Sequence, residues 1–352
     1  MGTVRFLLSV TVLMMHSSPI FGYAANIPGY LAVQLFYIIS GFLMTFVYSE
    51  RYVLTAKPYY YFITNRFYKL FPLYWITILL IIAFSISVGI FSGSYNKLQY
   101  YYDYYQKGNS LWGLVVVGLS NFTLVFQDVI SFFTITPNGL AYNGLQANLT
   151  LQELFFIPIA WTVSVEIIFY LVTPFIATKS IKTILIFISL ILLCRLLLYS
   201  LGVNNGFIIY RFAPTEFLWY LLGVLSYKLY HKKMLPDTKW AMLLFTIVMV
   251  TLLIIPRFGY ITDIALYSLI FLSAGALVNR FTHNKWDKIL GELSYPIYIV
   301  HTFVLSIVVS NAFPKKLETG LSCLILSLAL SVILNEFVLK KIESFRKNRI
   351  LK

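Results

Sequence analysis

Ten apolar runs follow one another along this chain, near residues 3–21, 30–48, 67–92, 155–176, 183–201, 207–228, 240–256, 262–279, 292–312 and 320–340. Crossing about 30 Å of hydrocarbon at 1.5 Å per residue takes roughly 20 residues, with every backbone N–H and C=O satisfied internally. The runs therefore restrict the fold to an all-α, polytopic bundle of about ten transmembrane helices. Composition agrees: 59% of the 352 residues are hydrophobic and 11% are charged, more apolar surface than a soluble fold can bury. The first run has the outline of a signal peptide, with Arg5 ahead and Gly22-Tyr23-Ala24-Ala25 behind. The rest of the chain is equally apolar, so it reads as a retained first span.

The net charge of +14 is not the signature of a nucleic-acid partner, because the cations sit in short connections between apolar runs. The connections 49–66, 177–182, 228–239 and 280–288 are basic, as is the tail from Lys340 to Lys352, whereas 22–29, 202–206 and 257–261 share one Arg. The positive-inside rule assigns the basic set to the cytoplasm. Alternation then requires that a further run at 111–133, interrupted by Asn121, Gln127 and Asp128, does not cross. Ten spans, both termini cytoplasmic, an outer region at 93–154 and a single domain over 1–352 are expected; Lys315 and Lys316, on the outer side, are a mild exception. Cys194 and Cys323 lie within apolar runs and form neither a disulfide framework nor a metal set, so no metal site is expected. The sequons at Asn121 and Asn148 carry no weight without a secretory context.

Ionisable residues inside a span are costly and point to function. Arg5 and His16 are eleven residues apart, three helical turns plus about 20°, so they share one face about 16 Å apart along the axis. Arg66 and Lys69, three apart, share a face at the same expected membrane side as Arg5. Three cations there could grip the phosphates of a nucleotide-bearing donor; they also suit a cytoplasmic helix end with no ligand. In Ser40-Gly41, the glycine admits a close backbone neighbour and the serine can bond across helices. Glu166 lies inside its run and needs a partner, with Arg195, Arg211, Glu216 and Asp263 as neighbours in the expected topology. These charges fit either a ligand site or a structural ion network. His301 sits near the middle of its run. The Tyr-rich stretch 95–105 suits an interfacial aromatic belt better than a sugar-stacking platform.

Taken in order, these segments resemble the acyltransferase family 3 membrane enzymes. The matching features are Arg5-x10-His16, Ser40-Gly41-Phe42-Leu43, Arg66-x2-Lys69-x2-Pro72-Leu73-Tyr74-Trp75, Trp161-x2-Ser164-Val165-Glu166-x2-Phe169-Tyr170 and Ser294-Tyr295-Pro296-Ile297-Tyr298-x2-His301. Two positions depart from the pattern: many members have Arg at Lys69 and Gly at Phe6. The resemblance implies transfer of an acyl group, usually acetyl from acetyl-CoA, to a sugar hydroxyl of a surface polysaccharide or its lipid-linked precursor. It implies a multi-pass protein of the bacterial inner membrane with no tightly bound cofactor. His16 and Arg5 would be catalytic, and Arg66, Lys69 and Ser40 would hold the donor. Trp161, Ser164, Glu166, Arg211, Glu216 and His301 would face the acceptor. Two alternatives stay open: a transporter or flippase for lipid-linked glycans, and an acyltransferase acting on a small lipid, antibiotic or peptidoglycan unit.

Overall fold

The first helix, α1, spans Gly2–His16 and is 15 residues long, about 22 Å. The expected run 3–21 is therefore not one helix: Ser17, Ser18 and Pro19 follow directly, and the chain turns through Phe21 and Gly22 at positive φ. The computed structural model describes residues 1–23, 27–143, 149–203, 206–236, 238–243, 245–246, 259–281, 283–310 and 317–350. Of the expected span 240–256, residues 244 and 247–256 lie outside these residues, as do Lys315, Lys316 and Asn148.

Next comes α2 (Gly29–Val47), which passes into a π turn at Tyr48–Tyr52, and then α3 (Pro58–Ser92). α3 starts inside the expected loop 49–66, because Pro58 suits the first helical position. Its 35 residues reach about 52 Å, well beyond a bilayer core. The 111–133 run is not continuous either. α4 (Asn96–Gln106) precedes α5 (Leu111–Thr123), which ends at Leu124 with φ of 57°. The one-turn α6 (Gln127–Ile130) then leads into an antiparallel hairpin, β1 (Phe133–Thr136) with β2 (Gly139–Tyr142), and a 3-10 turn at Leu149–Leu154. Among the described residues there follow α7 (Trp161–Ala177), α8 (Ile181–Ser200), α9 (Gly206–Arg211) and α10 (Ala213–His231). The expected run 207–228 is thus divided at Phe212, with Pro214 in the first turn of α10. α11 (Tyr260–Phe281), α12 (Lys285–Val308) and α13 (Thr319–Leu334) come next. A second π turn at Asn335–Leu339 joins α13 to α14 (Lys340–Ile350). Six helices among the described residues are long and apolar enough to cross a membrane. The chain is an all-α, multi-pass membrane protein.

Two compact units make up the chain: Met1–Lys69 with Phe169–Leu193 and Glu216–Lys352, and Leu70–Ile168 with Cys194–Thr215. In the first unit, α2 meets α10 through two glycines. A Cβ on Gly41 would strike the Tyr220 carbonyl oxygen, and one on Gly223 the Ile38 carbonyl oxygen. Small residues permit this approach where lipid supplies no hydrophobic drive between helices. Gly223→Leu should lower the Tm of the detergent-solubilised protein, through overpacking worth ~1–3 kcal/mol. An unchanged melting curve would mean that the seam yields without strain.

The second unit is organised around Asn121, which is fully buried. Its amide donates to the Tyr101 hydroxyl at 2.9 Å and the Leu154 carbonyl at 3.0 Å. Its side-chain oxygen accepts from Phe156 N at 3.0 Å, and its backbone carbonyl accepts from the Tyr74 hydroxyl at 2.6 Å. The polar residue that interrupts the apolar run is thus the joint of four segments, whose groups satisfy its buried amide and carbonyl.

Candidate active site

α1 lies along α12 in one register. Asp287, Ser294 and His301 meet residues 2–3, 9 and 16 of α1, so each successive contact advances seven residues on both helices. Seven residues are two turns, which keeps one seam facing the partner, and the common direction makes the pair parallel. The Asp287 carboxylate closes the lower end, accepting from Gly2 N at 2.9 Å, Thr3 N at 2.8 Å and the Thr3 hydroxyl at 2.8 Å. Asp287 also lies in the first turn of its own helix, capped by Asn284, so one carboxylate serves the positive ends of two helices. A Cβ on Gly2 would collide with the Asp287 carbonyl, which explains glycine there. In the middle of the seam, the buried Ser9 hydroxyl donates to the Ser294 carbonyl at 2.8 Å.

At the upper end the two imidazoles meet. His16 Nδ1 lies 3.1 Å from His301 Nε2, with the rings 22° from parallel. His301 is fully buried, and its Nδ1 lies 3.2 Å from the Ile297 carbonyl oxygen. His16 is the last residue of α1 and is exposed, so one ring is held from behind while the other presents an open side.

Arg5 opens onto a cavity of about 370 Å³. Its lining also carries Lys69 from α3, Lys288 and Tyr295 from α12, and Lys340, Glu343 and Arg346 from α14. Arg66 and Arg346 lie within electrostatic reach of Lys69 together with Arg5, and Glu343 partly offsets them. Arg346 pairs with Glu343 at 2.8 Å, and Lys340 with Glu336 at 2.7 Å. Asp287 is committed to the end of α1, and Lys288 stands 4.0 Å from Glu292. Five cations face three carboxylates in this lining, so the cavity carries a net positive charge. The sequence reads the tail cations Lys340 and Arg346 only as orientation signals. Their three- and six-residue offsets on a helix that continues α13 place them on one side, a signal available in the sequence.

The remaining expected residues divide between the two units. In the first, Arg66 is 8% exposed, with Nη1 3.4 Å from Met44 Sδ and its guanidinium over Phe62, and it does not line the cavity. Ser40 is buried on α2, next to the glycine seam, and is also absent from that lining. Glu216 is fully buried and accepts from the Gln34 amide at 3.0 Å and the Trp219 indole at 3.3 Å. The Tyr267 hydroxyl donates to Gln34, and that of Tyr30 to Asp263 at 2.6 Å. In the second unit, the Arg211 guanidinium lies 4.9 Å above the Trp161 ring, and Trp161 meets Tyr210 edge-on. Ser164 is buried, as is Asp128, which accepts from Ala213 N at 3.3 Å. Burial pushes the Asp128 carboxyl up from its ordinary range against the pull of its hydrogen bonds. Glu166 is half-buried, and Arg195 donates to the Thr215 carbonyl at 2.9 Å. No cluster of potential metal ligands occurs among the described residues.

The membrane helix bundle thus carries, on α1, an exposed imidazole backed by a buried one and a cavity rich in cations. The chain belongs to acyltransferase family 3: the family's model, described as an acyltransferase domain, matches residues 2–336. It is a membrane acyltransferase. No curated protein and no solved structure matches the chain.

Proposed function

We propose that the protein is an O-acyltransferase that moves an acyl group, most simply acetyl, from acyl-CoA to a sugar hydroxyl of a cell-surface polysaccharide or its lipid-linked precursor. Its setting is the bacterial inner membrane, with ten spans and both termini in the cytoplasm. The observation that carries this reading is the division of α1: Arg5 opens onto the cationic cavity, and His16 stands three turns away with an accessible ring. Donor phosphates would rest against Arg5, Lys69, Lys340 and Arg346, while the flexible arm runs toward His16. The neutral His16 ring takes the proton from the sugar hydroxyl as its oxygen attacks the thioester carbonyl. Collapse of the tetrahedral adduct breaks the C–S bond, and the proton passes from the imidazolium to the departing thiolate. The carbonyl end of α1, at His16, stabilises the positive charge the ring carries between these steps.

Mass spectrometry and NMR of the surface glycan, from cells with and without the intact chain, test the reading. An acyl ester on one sugar hydroxyl that disappears with the chain is the expected result. An unchanged glycan, together with purified protein that leaves acyl-CoA uncleaved, would instead favour a carrier of glycans.

A further inference from the structure

We propose that His301 is a positioning residue that fixes the tautomer of His16 and thereby selects Nε2 as the atom that receives the hydroxyl proton. The inference rests on His16 acting as general base, as set out above. It follows from a chain of hydrogen bonds with a single consistent direction. The Ile297 carbonyl oxygen can only accept, so His301 Nδ1, 3.2 Å away, carries the proton of that ring. A neutral imidazole has one N–H, so His301 Nε2 presents a lone pair and can only accept. His16 Nδ1, 3.1 Å from that nitrogen, must therefore donate to it. The lone pair of a neutral His16 is left on Nε2.

The surroundings hold the relay in place. His301 is fully buried, its ring meets Tyr298 edge-on with centroids 6.1 Å apart, and its own carbonyl accepts from the Cys323 thiol at 3.7 Å. Ser9 and Ser294 lock the seam one heptad below. His301 thus orients the reacting ring from a place the acceptor need not reach. A metal-ligating or catalytic histidine is oriented by its other nitrogen in the same way. In a free imidazole the two tautomers exchange, and a base whose proton sits on the reacting atom cannot accept another.

Two variants and one spectroscopic readout test this. His301→Gln keeps an acceptor oxygen close to the position of Nε2, whereas His301→Leu removes it. The expected result is a kcat within about tenfold of the parent for His301→Gln. A loss of roughly 10²-fold or more is expected for His301→Leu, with KM for donor and acceptor little changed, as for a base held in the wrong tautomer. Nitrogen-15 NMR of the full-length histidine-labelled protein should show His16 protonated on Nδ1, and a mixture of tautomers in His301→Leu. The NMR reading stands even where no acylation is seen, so it separates failure of this inference from failure of the proposed function. A His16 proton on Nε2 in the parent would overturn the inference. So would a His301→Leu variant that keeps full kcat, or one that changes only the acceptor KM. A His301→Gln variant that folds as the parent does yet is as slow as His301→Leu would also overturn it.

Discussion

Replacing His16 with alanine should abolish glycan O-acylation, with kcat falling by roughly 10²–10⁴-fold, the range supplied by a positioned general base. The variant should still fold, because His16 is an exposed residue at the very end of α1 and the helix is held by Asp287, Ser294 and the glycine contact below it. Donor affinity should survive, since the cavity lies three turns away, around Arg5. Acyl-CoA binding measured by calorimetry on the purified variant, beside an assay of thiol release, separates these effects. A variant that retains turnover would remove His16 from the chemistry.

Arg5→Glu should be nearly as damaging, through the donor. Among the described residues neither Arg5 nor Lys69 stands in a salt bridge, although Glu343 partly offsets the charge around Lys69. Reversing one of them takes away a charge-assisted contact worth about 1.5–3 kcal/mol and adds repulsion toward phosphate. The expected outcome is a rise of about 10²-fold or more in KM for acyl-CoA, lessened by salt, with acceptor KM little changed. A variant with normal donor affinity and poor use of the sugar would place Arg5 with the acceptor.

Much of this arrangement is local and therefore legible in the sequence. Helical phase alone puts Arg5 and His16 on one face, and Gly41 announces a close backbone neighbour, which is Gly223. Helix ends are less well read. Hydropathy averages over Ser17-Ser18-Pro19 and so extends α1 past His16, while Pro58 starts α3 amid charges that look like a loop. The hairpin is announced only by Pro137-Asn138-Gly139, a turn signal between two short β-prone stretches just beyond the apolar run 111–133. Non-local partners leave no such trace. Asp287, Ser294 and His301 repeat at seven residues, as do Gly2, Ser9 and His16, but nothing in one sequence says that the two series pair. The charged residues grouped by expected depth separate in the same way: Glu216 joins Gln34 and Trp219 in one unit, whereas Glu166 and Arg211 belong to the other.

The helix that carries Lys340 and Arg346 has a bearing on how the boundaries of such a protein are drawn. The family match ends at residue 336, inside the π turn and just short of both cations. A chain cut at the limit of homology would keep every shared motif and lose one wall of the chamber. The matched segment and the residues that line this cavity therefore do not coincide here. A reporter or affinity label belongs beyond Ile350, where it leaves that wall standing.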